Sequence, residues 1–180
     1  VADTGEESDE ALPADQVHTG YFDLPSRKNH CLTVCLVPPP SANRACEQLT
    51  KARRECKDPG FFRWPPHANI VYPFLETIYD EGSEESKTDQ RAAFRKEIEL
   101  HLSKAASQCE PFDVTIDSFG TFGGKNRGVL WAYPKSNFAQ PDAARVVDSE
   151  PLIQLHGFSE EQFPMCNDQR KGGSFQPHMT

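Results

Sequence analysis

Interleaved strand and helix signals predict one domain of mixed α and β structure, either α/β or α+β with mixed strand pairing. Three observations carry this. Strand-length apolar runs alternate with stretches whose apolar residues recur every three to four positions. Their order reads strand–helix–strand–helix–strand–strand–helix–strand. A chain of 180 residues is one domain by default and can bury a sizeable core.

Residues 1–20 are acidic and poor in apolar side chains, and are expected to be a disordered lead-in. The domain is expected over residues 21–180, with 21–30 polar and irregular. Residues 31–37 (Cys-Leu-Thr-Val-Cys-Leu-Val) form a β-rich run stopped by Pro38-Pro39-Pro40. Ser41 can cap a helix over 42–56, with Ala45, Leu49 and Ala52 at helical spacing. Asp58-Pro59-Gly60 reads as a turn. Residues 68–72 read as a strand closed by Pro73, and 77–89 as a polar acidic loop. A second helix is predicted over 90–107, with Phe94, Ile98 and Leu102 on one face. Residues 112–122 read as a long strand in which Val114, Ile116 and Ser118 alternate with Thr115 and Asp117. Gly123-Gly124-Lys125-Asn126 turns it into a second strand over 128–133, a hairpin. A loop over 137–145, a helix over 152–162 and a last strand starting near Phe175 complete the pattern.

The net charge is −8. Segment 1–15 carries −6 and segment 76–89 carries −5, so the remaining body is left with +3. That excess suits one phosphate or a short oligonucleotide, and not a long duplex, where many phosphates must be neutralised. No apolar run is long enough to span a bilayer. The first residues hold neither a basic region nor an apolar stretch, so no signal peptide is read. Six cysteines without a CxxC pair are expected to be reduced core thiols, and no zinc-ligand pattern is present. An intracellular location, cytoplasmic or organellar, is expected.

Two segments repeat one idea. Trp64-Pro65-Pro66-His67-Ala68-Asn69-Ile70 and Phe175-Gln176-Pro177-His178-Met179-Thr180 each place an aromatic before Pro-His. Each then places a hydrogen-bonding side chain two residues after the histidine. In a strand, residues i and i+2 share a face. His67 therefore shares a face with Asn69, and His178 with Thr180. Imidazole has an unperturbed pKa of about 6.5, so near neutral pH one ring can act as base while another acts as acid. A phosphate held between them would separate the nearest ring nitrogens by roughly 5–8 Å.

The doubled Pro-His-x-(Thr/Ser)-hydrophobic pattern resembles the two-histidine (2H) phosphoesterase superfamily, which includes the 2′-5′ RNA ligase-like proteins. The resemblance extends to Tyr72-Pro73-Phe74, Phe119-Gly120-Thr121-Phe122 and Gly128-Val129-Leu130-Trp131, and covers roughly residues 31–180. It implies an α+β, bilobal, pseudo-twofold fold, with mainly antiparallel sheets lining a central cleft and helices outside. It implies metal-independent chemistry on a 2′,3′-cyclic phosphate or a 2′-5′ phosphodiester, with no cofactor. Short RNA, or a nucleotide bearing a cyclic phosphate, is the implied substrate. Asn69 departs from the family's Thr or Ser, although an amide N–H can also serve a phosphate oxygen. The second motif stops at Thr180 where family members continue with a helix and a strand, so the domain is expected to be truncated there.

On this reading His67 and His178 are the acid–base pair, and Asn69 and Thr180 hold non-bridging oxygens. Lys125 and Arg127 are candidate contacts to a flanking phosphate. Trp64, Tyr72 and Phe122 are candidate base-stacking residues, with core packing as the alternative for each. His18, His30, His101 and His156 lack motif context and read as structural or surface residues. No metal site is assigned. The competing reading is a non-catalytic module of the same fold that binds a nucleotide or a protein partner. A protein assembly could then form through the acidic segments.

Overall fold

A computed structural model describes residues 26–39, 42–78, 82–123, 128–139, 150–170 and 173–180. The lead-in 1–20, Ser41, Lys125 and Arg127 lie outside the described residues. The elements are β1 (Ser26–Asn29), β2 (Val34–Leu36), α1 (Asn43–Glu55), β3 (Ala68–Val71), β4 (Phe74–Thr77), α2 (Glu84–Ser107), β5 (Phe112–Gly123), β6 (Gly128–Phe138) and α3 (Pro151–Gln162). A 3₁₀ turn, Asp168–Arg170, follows α3. The class is α+β with antiparallel pairing: β1 with β4, β2 with β3, and β5 with β6.

The second motif joins two of these pairs. Met179 forms antiparallel bridges with Ala68 of β3 on one side and Ala132 of β6 on the other. The Met179 amide donates to the Ala132 carbonyl at 2.9 Å, and the Ala132 amide donates to the Met179 carbonyl at 2.9 Å. The spatial order is therefore β2, β3, the segment ending at Thr180, β6, β5.

Helices cover the face that carries Ala68 and Ile70. The core holds Ile70, Val71, Phe74, Leu75, Phe94, Leu152, Phe163 and Cys166, all buried. Ile98 and Leu102 of α2 pack against it beside Phe94, the stripe read from the sequence. α3 begins on Pro151, whose missing N–H costs nothing at the first turn of a helix. The Ser136 hydroxyl accepts from the Leu152 amide at 3.0 Å and ties that turn to β6.

Several expectations are corrected. The segment 21–30, read as irregular, contains β1, which is held by Arg27 and Asn29 bonding to Glu76 of β4. Its polar composition, Ser-Arg-Lys-Asn, hid the strand. The acidic loop read over 77–89 is the end of β4 followed, from Glu84, by α2. Ser83 caps that helix, accepting from the Ser86 amide at 3.2 Å, and Glu84 and Glu85 favour its positive end. The apolar stripe starts only at Phe94, so the first turns gave no periodic signal.

In α1 the inward residues are Cys46, Leu49, Thr50 and Arg53, while Ala45 and Ala52 are exposed. β6 continues through Pro134 to Phe138. Alternation along β5 breaks because Ile116 pairs with Pro134 and Ser118 with Tyr133, leaving Asp117 as a bulge. Proline has no N–H for the ladder at that point. Of the six thiols, all free, only Cys166 is fully buried, and burial pushes its pKa up to about 12. Cys31 and Cys56 are exposed, so they are not core thiols.

Gly120 shows how closely the hairpin is packed. A Cβ at this position would fall 2.2 Å from the Trp131 ring. The prediction is that Gly120→Ala displaces that indole and costs roughly 1–3 kcal/mol, as overpacking does. A urea unfolding curve with a lowered midpoint and an unchanged slope checks it.

Candidate functional site

The pairing register brings the two motifs together. With Met179 opposite Ala68, His67 lies across from Thr180, and the Thr180 amide donates to the His67 carbonyl at 3.3 Å. Asn69 then lies across from His178. The four motif side chains share the face opposite Ala68 and Met179, both of which are buried. His67, Asn69, His178 and Thr180 are all half-buried. The histidines form a diagonal pair across the bridge, neighbours that are about 7–8 Å apart in a sheet, with Cβ atoms somewhat closer.

The two rings are tethered in the same way. His67 Nδ1 lies 2.9 Å from the Pro65 carbonyl, and His178 Nδ1 lies 3.0 Å from the Gln176 carbonyl. A carbonyl can only accept, so each Nδ1 carries a proton. In the neutral ring Nε2 is then the nitrogen with the lone pair. This tautomer is assigned from the acceptor. The repeated Pro-His spacing is the local cause: each ring folds back on the carbonyl two residues earlier.

Each ring also leans on an aromatic. The Trp64 ring is 5.6 Å from that of His67 at a 37° tilt. Phe122 meets His178 edge-on at 4.9 Å, and Trp131 lies 6.4 Å from it. Of the candidate stacking residues, Trp64 and Phe122 therefore flank the pair. The Tyr72 ring instead packs edge-on against His30 at 5.7 Å. Lys125 and Arg127 fall outside the described residues.

Other residues complete the surroundings, and motif reading missed them. The Thr33 hydroxyl lies 2.9 Å from the Asn69 amide oxygen and 3.0 Å from the Val71 carbonyl. It thereby tethers the Asn69 side chain beside the Val71 carbonyl. Cys35 pairs with Asn69 across β2 and β3, and burial raises its thiol pKa, so it is a neutral neighbour. Beneath the sheet, buried His156 donates from Nδ1 to the Ile70 carbonyl at 2.7 Å and stacks on Phe175 at 3.8 Å. It thereby holds the first and second motif segments against one ring. Glu160 sits 3.3 Å from its Nε2. The sequence marked His156 only as a histidine inside an apolar helix, with no spacing that links it to either motif.

Asp58 stands near His67. Burial alone would push its carboxyl up. The Gly60 amide, the hydrogen bond and charge of Arg53, and the proximity of His67 outweigh that, and its pKa lies below the ordinary carboxylate value. No group of three or more His, Cys, Asp or Glu side chains is arranged to hold a metal ion among the described residues. Nor is any helix among them long and apolar enough to cross a membrane.

No curated protein and no solved structure gives a match to the chain. A family model does: that of the 2′-5′ RNA ligase superfamily matches residues 37–180, a span that includes both histidine motifs. With most of its length matched, the chain belongs to the 2′-5′ RNA ligase superfamily, within the two-histidine phosphoesterases.

Proposed function

We propose that this protein is a metal-independent phosphoesterase acting on an RNA-type 2′,3′-cyclic phosphate or a 2′-5′ phosphodiester. Membership of a superfamily of phosphoesterases and ligases supports an enzyme at the coarse level. The observation that carries the finer reading is the matched tethering of two imidazoles on one sheet face, each with Nε2 available. In this reading the sheet that bears the motifs lines one side of a central cleft between pseudo-twofold halves.

The chemistry follows from those two nitrogens. A cyclic phosphate binds between the rings. One neutral Nε2 takes a proton from water as the water oxygen bonds to phosphorus. The P–O bond to one ribose oxygen breaks, and the other ring, protonated, gives its Nε2 proton to that oxygen. The product is a phosphomonoester, and the two rings have exchanged protonation states. With a ribose hydroxyl attacking in place of water, the same steps form a phosphodiester, and their reverse cleaves it. Asn69 NH₂ and the Thr180 hydroxyl donate to the non-bridging oxygens, where charge grows in the transition state. Trp64 and Phe122 present π-faces to the attached bases. Asn69 also motivates the alternative, a binding module without turnover. The Thr33 contact weighs against that alternative, because it holds the Asn69 amide in one place.

The division of roles is testable at each residue. His67→Ala and His178→Ala should each lower turnover of a 2′,3′-cyclic nucleotide on the order of 10²–10⁴-fold. The double variant should be little worse than either single, because the pair acts as one unit. Steady-state rates in EDTA check this, with a bell-shaped pH profile in which neither limb belongs to one ring alone. An inactive wild type that still binds the nucleotide would favour the module. Separately, Asn69→Ala should cost roughly ten- to a thousandfold in kcat, as for loss of one transition-state donor. Thr33→Val should cost less, and Asn69→Thr should retain or raise the rate. A kcat unmoved by Asn69→Ala would remove that residue from the reaction.

A further inference from the structure

The last turn of α1 and its connection to β3 have two properties that the two-histidine reading does not use. The stretch is basic in an acidic chain: segment 51–64 carries Lys51, Arg53, Arg54, Lys57 and Arg63 against Glu55 and Asp58, a charge of +3. That equals the whole positive excess of the chain outside its two acidic segments. It also displays aromatics. Phe62 is 95 % exposed and Trp64 is 39 % exposed, although burying such side chains is worth about 1.5–3 kcal/mol each.

The segment is nevertheless tightly built. Arg53 donates from Nε to Asp58 at 2.6 Å and from its guanidinium to the Trp64 carbonyl at 2.6 Å. Asp58 accepts from the Gly60 amide at 2.8 Å, and the Gly60 carbonyl accepts from the Arg63 and Trp64 amides at 2.9 and 3.0 Å. Phe61 is held between Phe62, at 5.1 Å and nearly perpendicular, and the Arg54 guanidinium at 5.4 Å. The backbone is thus fixed while Phe62, Trp64 and the cations face solvent. Arg54, Lys57 and Arg63 form no ion pair among the described residues and are exposed. At its far end this surface reaches the site, where Trp64 meets His67.

We propose that this segment is a binding platform for single-stranded RNA, taking the nucleotides that flank the reacting phosphate. Arg54, Lys57 and Arg63 meet the backbone, and Phe62 and Trp64 stack bases. The proposal rests on the reading of the histidine pair as a phosphate site, and it makes an oligonucleotide, and not a mononucleotide, the preferred substrate. Exposed aromatics interleaved with cations are what sequence-tolerant recognition of a single strand requires, since every base has a π-face and every linkage a charge. A bilayer is the other surface that takes exposed aromatics and cations. Continuity with a phosphate-sized site favours the strand.

The test uses the full-length protein and a short fluorescent single-stranded oligoribonucleotide ending in a 2′,3′-cyclic phosphate. Binding is read by anisotropy on His67→Ala backgrounds, so that it does not depend on turnover. Phe62→Ala is expected to raise the Kd roughly five- to a hundredfold. Charge reversal of Arg54, Lys57 and Arg63 to Glu is expected to raise it further and to flatten the salt dependence by about 0.7 for each phosphate no longer neutralised. With His67 intact, turnover of a 2′,3′-cyclic mononucleotide should be unchanged by Phe62→Ala. These side chains are exposed, and an unchanged urea midpoint shows that the variants fold. An unchanged Kd for the oligonucleotide overturns the proposal. So does equal damage to mononucleotide turnover, or a loss of binding to phosphatidylserine vesicles with RNA affinity intact. If RNA binding falls as expected in a protein that turns over no cyclic phosphate, the platform stands and the catalytic reading falls. If mononucleotide is turned over and RNA affinity ignores the substitutions, the reverse holds.

Discussion

The backbone pairing of Met179 with both Ala68 and Ala132 is the constraint on which the site depends. It joins segments more than a hundred residues apart in sequence and fixes their register. Register matters because a slip of one residue sends alternate side chains to the other face. With Met179 opposite Ala68, both histidines, Asn69 and Thr180 emerge together. A slip of the second motif by one along β3 would turn His178 and Thr180 toward the buried face and present Met179 instead. The buried Met179 side chain opposes such a slip, because it would have to surface. His156 adds a second lock from below, bonded to β3 and stacked on the first aromatic of the second motif.

The chemistry of each ring is decided locally. Proline before each histidine and a carbonyl two residues back give both imidazoles the same tautomer. Two identical bases would compete for one role. A metal-free acid–base mechanism avoids this only if one ring is protonated when the other is not. The surroundings are not identical. His67 lies near the ionised Asp58 and beside Trp64, whereas His178 sits among Phe122 and Trp131. The site thus combines symmetry in tethering with asymmetry in neighbours.

How much of this was legible in the sequence depends on the range of the interaction. The motif segments were readable because i and i+2 share a face in any strand, and the Phe94–Ile98–Leu102 stripe was readable because its period is local. The pairing of residue 68 with 179 is not a local property, and the sequence could only suggest it through the repeated motif. β1 was missed because a four-residue strand held by Arg27, Asn29 and Glu76 lacks an apolar signature, and β4 because its two buried apolar residues, Phe74 and Leu75, are too few to show a period. The α1 stripe was misplaced because an arginine, Arg53, turns inward to satisfy Asp58 and the Trp64 carbonyl. The bulge at Asp117 follows from a proline on the neighbouring strand, which no pattern within β5 itself reveals. Thr33 and His156 carry no motif because their work is to orient other residues.

The central claim is that both imidazoles are held Nδ1-protonated, with their Nε2 atoms presented to one phosphate. Long-range ¹H–¹⁵N correlation spectra of the ¹⁵N-histidine-labelled protein test it directly. The account predicts that, at a pH where both rings are neutral, His67 and His178 both show the Nδ1–H tautomer. Added inorganic phosphate should then shift both Nε2 resonances along one binding curve. An Nε2–H tautomer at either ring, or phosphate that perturbs one ring and leaves the other in place, would contradict it.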